Sequence, residues 1–126
     1  LKEADADPDR VFTEVEQVRC PTNHAIVGSL MAQNWWLPVE TSDAIRCHHD
    51  AVILAAGPLG ISPASARLVA LAQLAEFLAQ RISGQSATCE WDKLGCTCRQ
   101  LLGLDGAGVE ALLPDAESVV REQLLD

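Results

Sequence analysis

The 126 residues are 48% hydrophobic, poor in aromatics and free of Tyr, a composition for one domain or part of one that favours helices over sheet. Eighteen acidic residues against nine basic ones give a net charge of −9, which argues against a surface built to neutralise nucleic-acid phosphates or an anionic membrane. The chain has no apolar run of the roughly 18 residues a membrane span needs and no basic, apolar-cored leader, so neither a transmembrane helix nor a signal peptide is expected.

The opening LKEADADPDR is polar, and residues 1–8 are expected to be disordered or frayed until Pro8 or Asp9 starts a helix. The first residue is Leu1 rather than Met, which suggests that the natural N-terminal context extends further. Val11, Phe12, Val15 and Val18 recur at helical spacing before RCPT breaks the pattern. Thr22 or Asn23 suits an N-cap, because its side-chain oxygen can accept from an orphan amide. The helix that follows carries Ile26, Val27, Leu30 and Met31 and is expected to end near Trp35, ahead of Pro38. Of Trp35 and Trp36, one ring is expected in the core and one at its boundary.

A short helix is expected over about residues 41–50, with Ala44, Ile45 and His48 on one face, and the apolar AVILAA that follows can continue it. Gly57, Pro58 and Gly60 then enforce a loop. Ser62 as N-cap and Pro63 at the first helical position open the clearest helix. Its apolar stripe is Leu68, Leu71, Ala72, Ala75, Leu78 and Ile82, and Gly84 is its stop. After the linker SGQSAT, a helix over 91–102 should turn Trp91, Leu94, Cys98, Leu101 and Leu102 inward. GLDGAG reads as a turn. VEALLPDAESVVREQLLD reads as a short helix, a break at Pro114 and a terminal helix. No alternating strand or internal repeat is visible, so the fold class is all-α.

Cys20, Cys47, Cys89, Cys96 and Cys98 are odd in number and irregular in spacing, which suits reduced thiols in a cytoplasmic protein better than a disulfide framework. CEWDKLGCTC lacks the second paired spacing of a structural zinc site, so its thiols read as small hydrophobes. GPLGIS and GLDGAG lack the Lys of a phosphate loop, and Ser29, Ser42 and Ser62 lie in no nucleophile elbow.

His24, His48 and His49 are the histidines of the chain. Neutral imidazole binds Zn, Fe, Ni or Mn. Successive residues of one helix point about 100° apart, so His48 and His49 reach one ion only if the helix ends there or the ion sits between them. Otherwise one packs in the core and the other faces solvent. His24 could complete a trio, with Asp50 as a possible oxygen ligand.

Residues 16–50, EQVRCPTNHAIVGSLMAQNWWLPVETSDAIRCHHD, resemble the second, C-terminal half of an HDOD domain, an HD-related output domain akin to the HD metal-dependent phosphohydrolases. The ordered matches are Glu16, His24, Val27, Gly28, Leu30, Trp35, Leu37, Pro38, Ile45, His48 and His49. Beyond Asp50 the resemblance holds only in layout. It implies an HD-domain-like helical bundle, with residues 9–126 forming part of the domain. The catalytic relatives carry an upstream His-Asp dyad, and the cyclic-dinucleotide phosphodiesterases add Gly-Tyr-Pro after the paired histidines. This chain has no His-Asp before His24 and no Tyr. The resemblance therefore implies a regulatory module of a bacterial signalling protein, not an enzyme. No catalytic residue, resident metal or cofactor is expected, and the three histidines are at most weak metal candidates. Partners are expected to be another protein or an attached signalling domain, with a homodimer possible, and neither nucleic acid nor membrane. The alternative is a divalent-metal phosphohydrolase whose remaining ligands lie upstream of Leu1.

Overall fold

The computed structural model describes residues 12–18, 20–84 and 89–123. The expectation for residues 1–8 lies outside them. The described residues are helical, with no strand among them, as the patterning requires. The helices are α1 (Phe12–Gln17), α2 (His24–Asn34), α3 (Val39–Cys47), α4 (Ala51–Ala55), α5 (Pro63–Ser83), α6 (Glu90–Leu102), α7 (Gly106–Ala111) and α8 (Leu113–Gln123), with a 3-10 turn at Gly57–Leu59.

Local chemistry sets the boundaries. Asn23 caps α2, its side-chain oxygen accepting from the Ile26 amide at 3.0 Å. The far end of α2 closes with a Schellman arrangement, in which the Trp36 amide donates to Gln33 and the Leu37 amide to Ala32, both at 3.0 Å. The left-handed residue of that motif is usually Gly, but here it is Trp36, at φ +58°. Pro38, extended at φ −52° and ψ 145°, then starts α3. Gly28 is where α2 meets α3, since a Cβ there would lie 3.0 Å from Ile45 Cγ2.

The expected helix over 41–50 is displaced. It runs Val39–Cys47, and Asp50 caps a separate α4, accepting from the Ile53 amide at 2.9 Å. His48 and His49 thus occupy a corner between two helices, not a helical face.

Ser62 caps α5 through the Ser65 amide, and left-handed Gly84 ends it, both as expected. This helix is the spine, packed against α3, α6 and α8. Its buried face includes Ala66, Val69, Ala70, Gln73, Leu74 and Leu78, so the expected stripe is buried at Leu78 and half-buried at Ile82, while Leu68, Leu71, Ala72 and Ala75 are exposed. The physical reason is close packing on more than one side, which favours small residues where helix backbones approach. One core cluster joins Ala44, Cys47, Leu54, Ile61, Val69 and Leu94 with their neighbours. A second joins Leu74, Leu78 and Val109, with Phe77 and Trp91 stacked at 4.5 Å beside it.

On α6, Leu94 and Cys98 are buried as expected, while Trp91, Leu101 and Leu102 are half-buried. GLDGAG is not wholly a turn. Asp105 accepts from the Gly108 amide at 2.7 Å and starts α7 inside that stretch. Pro114 lies in the first turn of α8, where its missing N–H leaves no helical bond unmade. The expectation that one of the paired tryptophans is a core ring fails: both Trp35 and Trp36 are exposed.

Candidate metal centre

Three helix ends meet at one point. α2 begins with His24, α3 ends into His48 and His49, and α6 begins with Glu90. Because α3 stops at Cys47, the 100° divergence of neighbouring helical side chains does not apply. Both rings of the pair turn toward His24. Nε2 of His24 lies 3.1 Å from Nε2 of His48 and 3.2 Å from Nε2 of His49. A donor atom from each histidine lies within 4.8 Å of the others. The expectation that one ring packs in the core and the other faces solvent is replaced by a converged trio.

Each ring is held from behind. Nδ1 of His24 is 2.6 Å from Glu16 Oε2, which also accepts from the His24 amide at 3.0 Å. Nδ1 of His48 is 2.6 Å from the Ile45 carbonyl. Nδ1 of His49 is 2.7 Å from Glu90 Oε2, and Glu90 Oε1 takes Lys93 Nζ at 3.3 Å. Behind the corner, buried Gln73 donates to the His48 carbonyl at 3.2 Å.

The electrostatics fix the tautomers. Burial pushes the Glu90 carboxyl up, but the hydrogen bond and charge of His49, with Lys93, hold it below its ordinary value. Burial also opposes ionisation of Glu16, and its bonds to His24 outweigh this. Both carboxylates are therefore ionised at neutral pH and accept, as the Ile45 carbonyl must, so Nδ1 of each ring donates. Burial and the neighbouring His49 push the His48 imidazole toward its neutral form. With Nδ1–H directed outward, Nε2 of each ring points at the shared centre.

That donor set fits a single transition-metal ion. An ion about 2.0–2.1 Å from each imidazole nitrogen in tetrahedral geometry sets its ligands roughly 3.3 Å apart, close to the 3.1 and 3.2 Å observed. Glu16, the Ile45 carbonyl and Glu90 are the outer partners that orient metal-binding imidazoles. Asp50, the other candidate ligand, instead caps α4. A cleft of about 320 Å³, lined by His49 with Asn23, Arg46, Asp50 and Ile53 among others, opens at this corner.

The remaining motif residues build the frame rather than the centre. Gly28 permits the α2–α3 approach, Pro38 starts α3, and Trp35 caps the end of α2. Sequence reasoning missed Glu90 and Gln73, whose roles depend on contacts 41 and 25 residues away in the chain. The one local sign was an acidic residue in the first turn of a helix.

The cysteines form no second centre among the described residues, where the histidine trio is the one group of metal-ligating geometry. Cys47 and Cys98 are buried, Cys89 is half-buried, and Cys20 and Cys96 are exposed, all as free thiols.

The HDOD domain family model matches residues 2–51, the N-terminal part of this chain and the stretch that holds Glu16 and all three histidines. That stretch is thus similar to the HDOD domain family. No curated protein and no solved structure matches it. Among the described residues, no helix is long and apolar enough to cross a membrane.

Proposed function

We propose that this chain is a regulatory, non-hydrolytic module of a bacterial signalling protein that acts through protein contact, and that its histidine trio holds one divalent transition-metal ion as a structural staple. The carrying observation is the convergence of three Nε2 atoms whose Nδ1 atoms are all anchored. The sequence alone favoured no resident metal; the convergence at the corner after α3 supports one instead. The chemistry supplied by such an ion is neutralisation of the lone-pair repulsion between the three rings. Holding it ties α2 to the α3–α4 corner and, through Glu90, to α6.

The placement of the carboxylates supports the non-hydrolytic reading. Two-metal phosphoryl transfer sets its ions about 3.5–4 Å apart between shared ligands. Glu16 and Glu90 both face Nδ1 atoms, and three imidazoles suffice for one ion only. A second reading, metal-dependent phosphohydrolysis, draws on the fourth position that a three-histidine ion leaves for water.

The test is elemental analysis after exposure to zinc and dialysis, beside turnover of cyclic dinucleotides and a generic phosphodiester with added Mn. We expect near-stoichiometric metal that is lost in His48→Ala, and no turnover. Absence of retained metal would overturn the staple. Metal-dependent turnover that disappears in His24→Ala would establish the hydrolase.

A further inference from the structure

We infer that the outer face of α2, continued by Trp35 and Trp36, is a self-complementary interface that pairs with a second copy of this chain. The inference builds on the reading that the module acts through protein contact and is independent of the metal centre.

α2 reads HAIVGSLMAQN and is apolar on both sides. Its inner face, Ala25, Ser29 and Ala32, is buried. Its outer face presents Val27, Leu30, Met31 and Trp35 at steps of three and four, all exposed. A helix that is apolar all round belongs inside something. The surface continues through Trp36, which is 93% exposed, and through Leu37 and Val39. Trp36 also holds the left-handed conformation that Gly takes without strain. Strain of that kind persists where a function uses it, and here it projects a whole indole into solvent.

Area and charge both select a second copy. At about 150–250 Å² per aromatic side chain, two such open indoles and five aliphatic neighbours exceed the roughly 400 Å² patch a monomer ordinarily shows. They approach the ~800 Å² each partner contributes to a standard interface. Between Asn23 and Val39 there is no Asp, Glu, Lys or Arg. Two protomers of net charge −9 can therefore meet here without setting carboxylates opposite one another, whereas a basic partner would find no charge to pair with. A two-fold arrangement places this face against itself and closes.

The test is sedimentation of the full chain from low micromolar to several hundred micromolar, beside Leu30→Glu and Trp36→Gly. Leu30 is exposed, so its replacement leaves the core intact, and circular dichroism verifies this. We expect a concentration-dependent dimer whose dissociation constant rises at least about tenfold in each variant, with helicity unchanged. A wild-type chain that stays monomeric throughout assigns the face to a different protein and overturns the inference. So does a dimer that both variants leave undisturbed. Metal retention is measured on the Leu30→Glu chain, so the staple and the interface can fail separately.

Discussion

Glu90 combines a side chain only 5% exposed with two polar partners, Nδ1 of His49 at 2.7 Å and Nζ of Lys93 at 3.3 Å. Its removal acts through His49, whose ring it orients. Outer partners of this kind are worth 10- to 100-fold in metal affinity, so Glu90→Gln should weaken zinc binding by about that factor, measured by competition with a chromophoric chelator. Beyond its place in the first turn of α6, nothing local in the sequence marks Glu90, because the residue it serves lies 41 positions away in the chain. Glu16 and His24, eight residues apart, were legible through the family pattern. The thiols divide by depth. Burial pushes Cys98 up to about 11 from 9.0. Its neutral form is favoured in the fold, so that contribution is fully present below the unfolded value and is lost as pH rises through 9 toward 11. Denaturation midpoints should accordingly fall across that range, and less so in Cys98→Ala. An unchanged slope in the variant would remove Cys98 as the cause.

At the scale of elements, the corner after α3 decides what the histidines can do. Periodicity carried the helix on to Asp50, because Ile45 and His48 fit one face and no breaker intervenes. Asp50 instead caps α4, and an Asx cap reads as punctuation only once the following helix is known. The α5 stripe failed differently: hydrophobicity ranks Leu above Ala, but close approach of α3 and α6 selects Ala66 and Ala70 for burial and leaves Leu68 and Leu71 outside. Helix ends were more legible, since Asn23 and Ser62 cap through side-chain oxygens onto amides three residues on, and Gly84 through its own left-handed backbone. The contact at Gly28 gives a direct test of helix spacing. Gly28→Ala brings a Cβ to 3.0 Å from Ile45 Cγ2. The helical gain from Ala is about 1 kcal/mol and overpacking costs about 1–3 kcal/mol. A net loss near 1 kcal/mol in denaturant unfolding is therefore expected, together with weaker metal binding as His24 shifts from the corner. Stabilisation would show that α2 yields freely at this point.

For the whole molecule, an all-α bundle was legible from composition, caps and the absence of alternation, and the HDOD match over residues 2–51 accords with it. The centre was only half legible: the family pattern marked the histidines, but their convergence depends on where α3 stops and on Glu90 arriving from α6. We propose this convergence as a mononuclear metal site. It is tested most directly by titrating the metal-free chain with cobalt(II) and following the visible absorption of the bound ion. A tetrahedral-type spectrum is expected that saturates at one equivalent, is displaced by zinc, and is absent in His49→Ala of unchanged helicity. A spectrum indistinguishable from aqueous cobalt(II) at every ratio, or an identical titration of the His49→Ala chain, would contradict it.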